Sequence, residues 1–95
     1  MLNHIKSDAI SRVEIDAEKR LRVYPASTEF LYIYREAMEV HWDREGRFLY
    51  SPPPRKWTYA DWFAHILKAA LEQSVALHLR ADTEWVNVEV EDIVR

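Results

Sequence analysis

The sequence predicts an α+β domain: an antiparallel sheet of about five to six strands, laid out as a meander and packed on one long amphipathic helix. Three observations predict it. Apolar and charged residues alternate from Val13 to Ile15 and from Leu21 to Val23. A capped amphipathic run begins at Thr58. Alternation then returns over residues 85–90, which gives the order β-β-β-β-β-α-β within a single domain, residues 1–95.

Residues 1–8 carry no clear period and are expected to fray or to start a strand. From Ala9, Val13 and Ile15 fall on one side with Arg12, Glu14 and Asp16 on the other, and Leu21 and Val23 follow, the pattern of a hairpin. Pro25, Ala26 and Ser27 form the next turn. Phe30, Leu31, Tyr32, Ile33 and Tyr34 are apolar on both faces, which predicts a central strand covered on both sides. Met38, Val40 and Trp42 alternate with Glu39, His41 and Asp43 as a fourth strand. The chain's single glycine, Gly46, falls where a type I turn closed by a bulge requires a left-handed residue, with Phe48 and Tyr50 then opposite Trp42 and Val40. Pro52, Pro53 and Pro54 end that strand.

The helix start is specified by chemistry. Thr58 is an N-cap, Asp61 stands three residues on in the carboxylate position of a capping box, and Trp57 and Trp62 have the spacing of a hydrophobic staple. Tyr59, Trp62, Phe63, Ile66, Leu67, Ala70, Ser74 and Leu77 make one apolar stripe, with Asp61, His65, Lys68 and Glu72 opposite. Because no Gly, Asn or Pro interrupts the run, the reading carries the helix to Arg80, roughly 33 Å at about 1.5 Å per residue. Val75, Leu77 and Leu79 also alternate; a helix ending near Ser74 instead leaves them as a strand beside the last one. In that last strand Val86, Val88 and Val90 point inward and Asn87 and Glu89 outward.

Composition removes several classes of function. With 48% hydrophobic and 31% charged residues the chain is that of a folded globular protein. A net charge of −3 without a basic stripe argues against nucleic-acid binding. No segment has the length or apolarity of a membrane span or signal-peptide core, and the absence of cysteine fits a cytoplasmic location.

Site chemistry is sparse. His4, His41, His65 and His78 have no metal-ligand spacing, and no phosphate loop or other cofactor motif is present, so the expectation is no metal and no cofactor. Asp61 and His65 are four apart on the polar helix face, where such pairs are mostly surface contacts worth about 0.2–0.5 kcal/mol. The better ligand candidates are Tyr32, Tyr34, Arg35 and His41, which could line an aromatic cleft; polar residues alternating along a half-exposed strand account for the same pattern. Phe30, Leu31, Ile33 and Trp42 are interface candidates, because one helix covers one face of a sheet and a strand apolar on both faces needs a second cover. The three prolines serve as a rigid connector or as a polyproline ligand.

Trp42, Pro52, Pro53, Thr58 and Asp61 lie in a strand, proline turn and polar helix start. That layout over residues 29–72 resembles small bacterial immunity proteins of polymorphic toxin systems. Size and lack of motif are also similar to the orphan proteins of bacterial integron gene cassettes. The immunity resemblance implies a non-catalytic binder that blocks a toxin by surface complementarity. Composition alone implies only a folded binder; with the resemblance, the leading expectation is a protein-interaction domain without catalytic activity, acting on a protein partner or as a homodimer, with a small-ligand binder or minor enzyme around His41 as the alternative.

Overall fold

Every strand in the computed structural model, which describes residues 4–94, leads back to one central strand. The elements run β1 (Lys6–Ile15), β2 (Leu21–Pro25), a 3-10 turn (Ile33–Arg35), β3 (His41–Asp43), β4 (Phe48–Tyr50), α1 (Tyr59–Glu72), β5 (Val75–His78), β6 (Glu84–Val86) and a second 3-10 turn (Val90–Asp92). At ten residues β1 spans about 33 Å, enough to pair with two short strands placed end to end. β5 pairs with its first half and β6 with its second, both parallel, while β2 runs antiparallel along the opposite edge. The path is β3-β4-β2-β1-β5, with β6 also on β1, so the sheet is mixed. The α+β class holds.

Thr83 bridges the step from β5 to β6. Its buried hydroxyl donates to the Ile10 carbonyl at 2.7 Å and accepts the Arg80 N–H at 2.9 Å. The β1–β2 register shifts between Ile10 and Arg12, an irregularity that twists β1 where its partners change.

α1 keeps the predicted start and has a different end. The Asp61 N–H donates to Thr58 Oγ1 at 3.1 Å, the Thr58 N–H donates to Asp61 Oδ2 at 2.9 Å, and Trp57 stacks on Trp62 with ring centroids 4.7 Å apart. Trp62, Phe63, Ile66, Ala69 and Ala70 are buried against the sheet with Ile10, Val13, Leu21, Val23 and Leu49. The helix stops at Glu72, not Arg80: Ser74 turns left-handed at φ 65° and its N–H closes on the Leu71 carbonyl at 2.8 Å. Residues 75–78 then follow the alternation of a strand and join β1, not the last strand.

Other expectations are corrected. Residues 28–35 form no strand: Phe30 and Ile33, three apart, point into the core while Leu31, Tyr32 and Tyr34 are exposed, the geometry of a 3-10 turn. Asp8 sets that path, accepting the N–H groups of Ser27 and Thr28 at 3.1 and 2.9 Å and the Ser27 hydroxyl at 3.2 Å. The predicted strand from Met38 shrinks to His41–Asp43, in a register that places Trp42 opposite Leu49 and His41 opposite Tyr50. Arg47, at φ 60°, takes the left-handed position assigned to Gly46. Strand β6 stops at Val86, so Val88 and Val90 lie beyond it and Val90 is exposed. Of the segment expected to fray or start a strand, Lys6–Asp8 start one as the first residues of β1, and residues 1–3 lie outside the described residues.

Candidate functional site

The face of the sheet away from α1 needs no apolar cover. On it Arg12, Arg20 and Arg22 lie over the rings of Tyr24, Tyr50 and Phe48, with guanidinium carbons 5.2, 4.7 and 4.3 Å from the ring centroids. Asp16 anchors the array. Its carboxylate, with a side chain 3% exposed, accepts Arg20 Nε at 2.8 Å, Arg22 Nε at 3.0 Å and the N–H groups of Arg20 and Glu18 at 2.9 and 3.0 Å. Burial alone would raise the Asp16 carboxyl; the Arg20 N–H and the Arg22 and Arg20 guanidiniums outweigh it and hold the group below the usual carboxylate range. Glu14 and Glu84 take up Arg12, so charges on this face are largely paired.

The open surface lies elsewhere. A cleft of about 630 Å³ runs between the segment before β3 and the proline connector, with the start of α1 as its floor. Ala37, Met38, Pro52, Pro53, Trp57 and Trp62 supply apolar lining. Met38 is 85% exposed and Trp57 44%, although both are large apolar groups. His65 packs at 5.0 Å from Trp57 and 5.7 Å from Trp62, nearly edge-on to both, so the staple that orients the helix also builds the cleft floor. Glu36 and Glu39 stand on one wall and Arg55 and Lys56 on the other. Gln73 Nε2 donates to Glu36 Oε1 at 2.7 Å, tying that wall to the helix end. Glu39 is held left-handed at φ 68°, a conformation that turns the chain sharply beside Met38.

The residues singled out from the sequence divide between these places. Arg35 covers Tyr32 and Tyr34, 4.7 and 5.9 Å from their centroids, on the exposed 3-10 turn. His41 sits on the arginine face, 5.2 Å from Tyr50, and so does not join them. Phe30 and Ile33 are core residues, Trp42 is half-buried with its ring 5.8 Å from Phe30, and Leu31 is exposed. Asp61 and His65 do not pair, since Asp61 caps the helix and His65 packs on the tryptophans. Met38 and Glu39, assigned to a strand face in the sequence, are the cleft residues that reading missed; Trp57 and Trp62 were visible as a staple. Among the described residues no group of three or more His, Asp or Glu side chains is placed to hold a metal ion.

A family model described as Integron Cassette Protein Hfx_Cass5 matches residues 8–83. The chain belongs to the Hfx_Cass5 family of integron cassette proteins. A solved structure is similar over most of its length: an integron cassette protein, Hfx_Cass5, from the mobile metagenome of the North West Arm Sewage Outfall. It shares 48% identity, covering 92% of this chain and 88% of that one, with a TM-score of 0.51. A search of curated proteins finds no match. Of the two resemblances seen in the sequence, the integron-cassette one is the one these matches bear out; neither match describes a toxin-immunity protein.

Proposed function

We propose that this Hfx_Cass5-family chain is a non-catalytic interaction domain, carried as a mobile-cassette accessory, that docks a partner protein in the cleft between Met38 and Trp57. One observation carries the reading: of the large apolar side chains that remain exposed, Met38 and Trp57 line the same cleft, together with Ala37, Pro52, Pro53 and Trp62. Enzymatic chemistry has weaker support. His41 lies on a different surface from Tyr32 and Tyr34, and the cleft lining pairs no nucleophile with a base. The cleft volume also lies in the small-ligand range, which favours a bound small molecule as the second reading.

Replacing Met38 with a photo-crosslinking amino acid in expressing cells tests the docking site. A discrete protein adduct that disappears with Trp57→Ala supports it. A folded variant that forms no protein adduct counts against it.

A further inference from the structure

We propose that the partner in the cleft is a second copy of this chain, docked about a two-fold axis that runs along the cleft; the inference rests on the interaction reading above. The charges choose the occupant. One wall is acidic, with Glu36 and Glu39, and the other basic, with Arg55 and Lys56. Among the described residues Glu39, Arg55 and Lys56 take part in no ion pair within the chain, in contrast to the arginines of the sheet face.

Two-fold symmetry makes an interface from the same patch on both copies, so each residue pair occurs twice. Rotation about an axis along the cleft carries the acidic wall of one copy over the basic wall of the other. Glu39 then faces Arg55 and Lys56 of the second copy, and the reciprocal pair forms on the far side. An axis across the cleft would set acid against acid, and like charges at an interface are strongly rejected. The cleft's charge layout thus selects one of the two arrangements.

The apolar groups fit the same arrangement. Met38 lies on the acidic wall and Trp57 on the segment that carries the basic one. The rotation brings Met38 of each copy to Trp57 of the other, a sulfur–aromatic contact that removes the most exposed apolar groups beside the cleft from water. Pro52 and Pro53 hold the basic wall with little conformational freedom, which reduces the entropy lost on association.

Sedimentation equilibrium on the full chain tests this, from about 1 µM to about 1 mM, the range over which a weak to moderate dimer changes population. The wild type is expected to show a monomer–dimer equilibrium. Glu39→Arg, or Arg55→Glu with Lys56→Glu, should weaken it about tenfold, because symmetry makes each change break its contact twice. The decisive arm mixes the two variants. Their opposite walls now match in both reciprocal contacts, so the heterodimer should form more tightly than either variant pairs with itself. A wild type that stays monomeric overturns the proposal, as does a dimer that the charge changes leave intact. In either case the Met38 adduct separates the two claims: an adduct with another protein leaves the docking reading standing, and its absence removes that reading as well.

Discussion

The guanidinium carbon of Arg22 lies 4.3 Å from the centroid of the Phe48 ring, and the same side chain donates Nε to Asp16 at 3.0 Å. Phe48 faces away from α1 and is nonetheless buried. Arginine thus does on this face what a second helix would do elsewhere, covering an aromatic ring with its flat group and methylene stem while keeping its charge paired. Arg22→Ala should lower stability by about 1–2 kcal/mol, through the lost ring contact and the weakened Asp16 anchor. Urea denaturation measures this. Arg22→Lys should recover only part of the loss, since an ammonium cannot cover the ring and keep the Nε geometry together.

Acid should unfold the protein through two carboxylates. Asp16 is one; Asp8 is the other, where burial works to raise the carboxyl and the hydrogen bonds from Thr28 and Ser27 overcome it. Both fold with values below the ordinary 3.8, so between the folded and unfolded values the unfolded chain binds more protons. The stability they contribute is therefore complete above the unfolded value and disappears as pH falls through the folded one. Asp16→Asn should lower the Tm at neutral pH, and its difference from wild type should shrink as pH falls from about 4 toward about 2. A difference constant with pH would show that Asp16 acts by packing alone.

The legible parts of this fold are those specified by neighbouring residues. Thr58 and Asp61 cap one another across three positions, and Val13, Ile15, Leu21 and Val23 declare a hairpin without reference to the rest of the chain. Residues 28–35 read as a strand because Phe30 and Ile33 satisfy a run of strand formers as well as a one-turn spacing, and the deciding partner, Asp8, is about twenty positions away. The cleft was hidden for a similar reason. Its tryptophans carry a local signal, but Met38 becomes an exposed wall only because Glu39 turns left-handed and the strand starts later than its alternation suggests. The need for a second cover rests on placing the apolar run at residues 30–34 in the sheet; that run forms a turn outside it, and on the sheet's second face three arginines lie on the rings.

The turn between β3 and β4 uses its glycine for space. A Cβ on Gly46 would collide with the Phe48 ring, and the left-handed residue is Arg47. Gly46→Ala should therefore lower stability by about 1–3 kcal/mol, the scale of overpacking, and disturb the ring beneath Arg22. Arg47→Gly should be much milder: it relieves a left-handed backbone while removing an exposed ion pair with Glu29 at 2.7 Å. Thermal denaturation of the two variants separates the roles. If Arg47→Gly proves the more damaging, the ring contact is not what requires a glycine there.

Ser74 gives the clearest test of why the helix ends where it does. It occupies the first position past the cap in left-handed conformation, φ 65°, where glycine is the usual residue because it has no Cβ to meet the carbonyl. From there the Ser74 carbonyl accepts the Lys6 N–H at 2.8 Å, so the reversal that ends α1 also starts the pairing of β5 with β1. The stop comes from tertiary structure: β1 captures residues 75–78 although their local pattern permits helix. Ser74→Gly should stabilise the fold by about 0.5–1 kcal/mol by removing left-handed strain, and Ser74→Ala should not. Urea denaturation of both variants makes the comparison. Equal stabilisation by alanine would mean the backbone at Ser74 is unstrained and the strand pairing alone ends the helix.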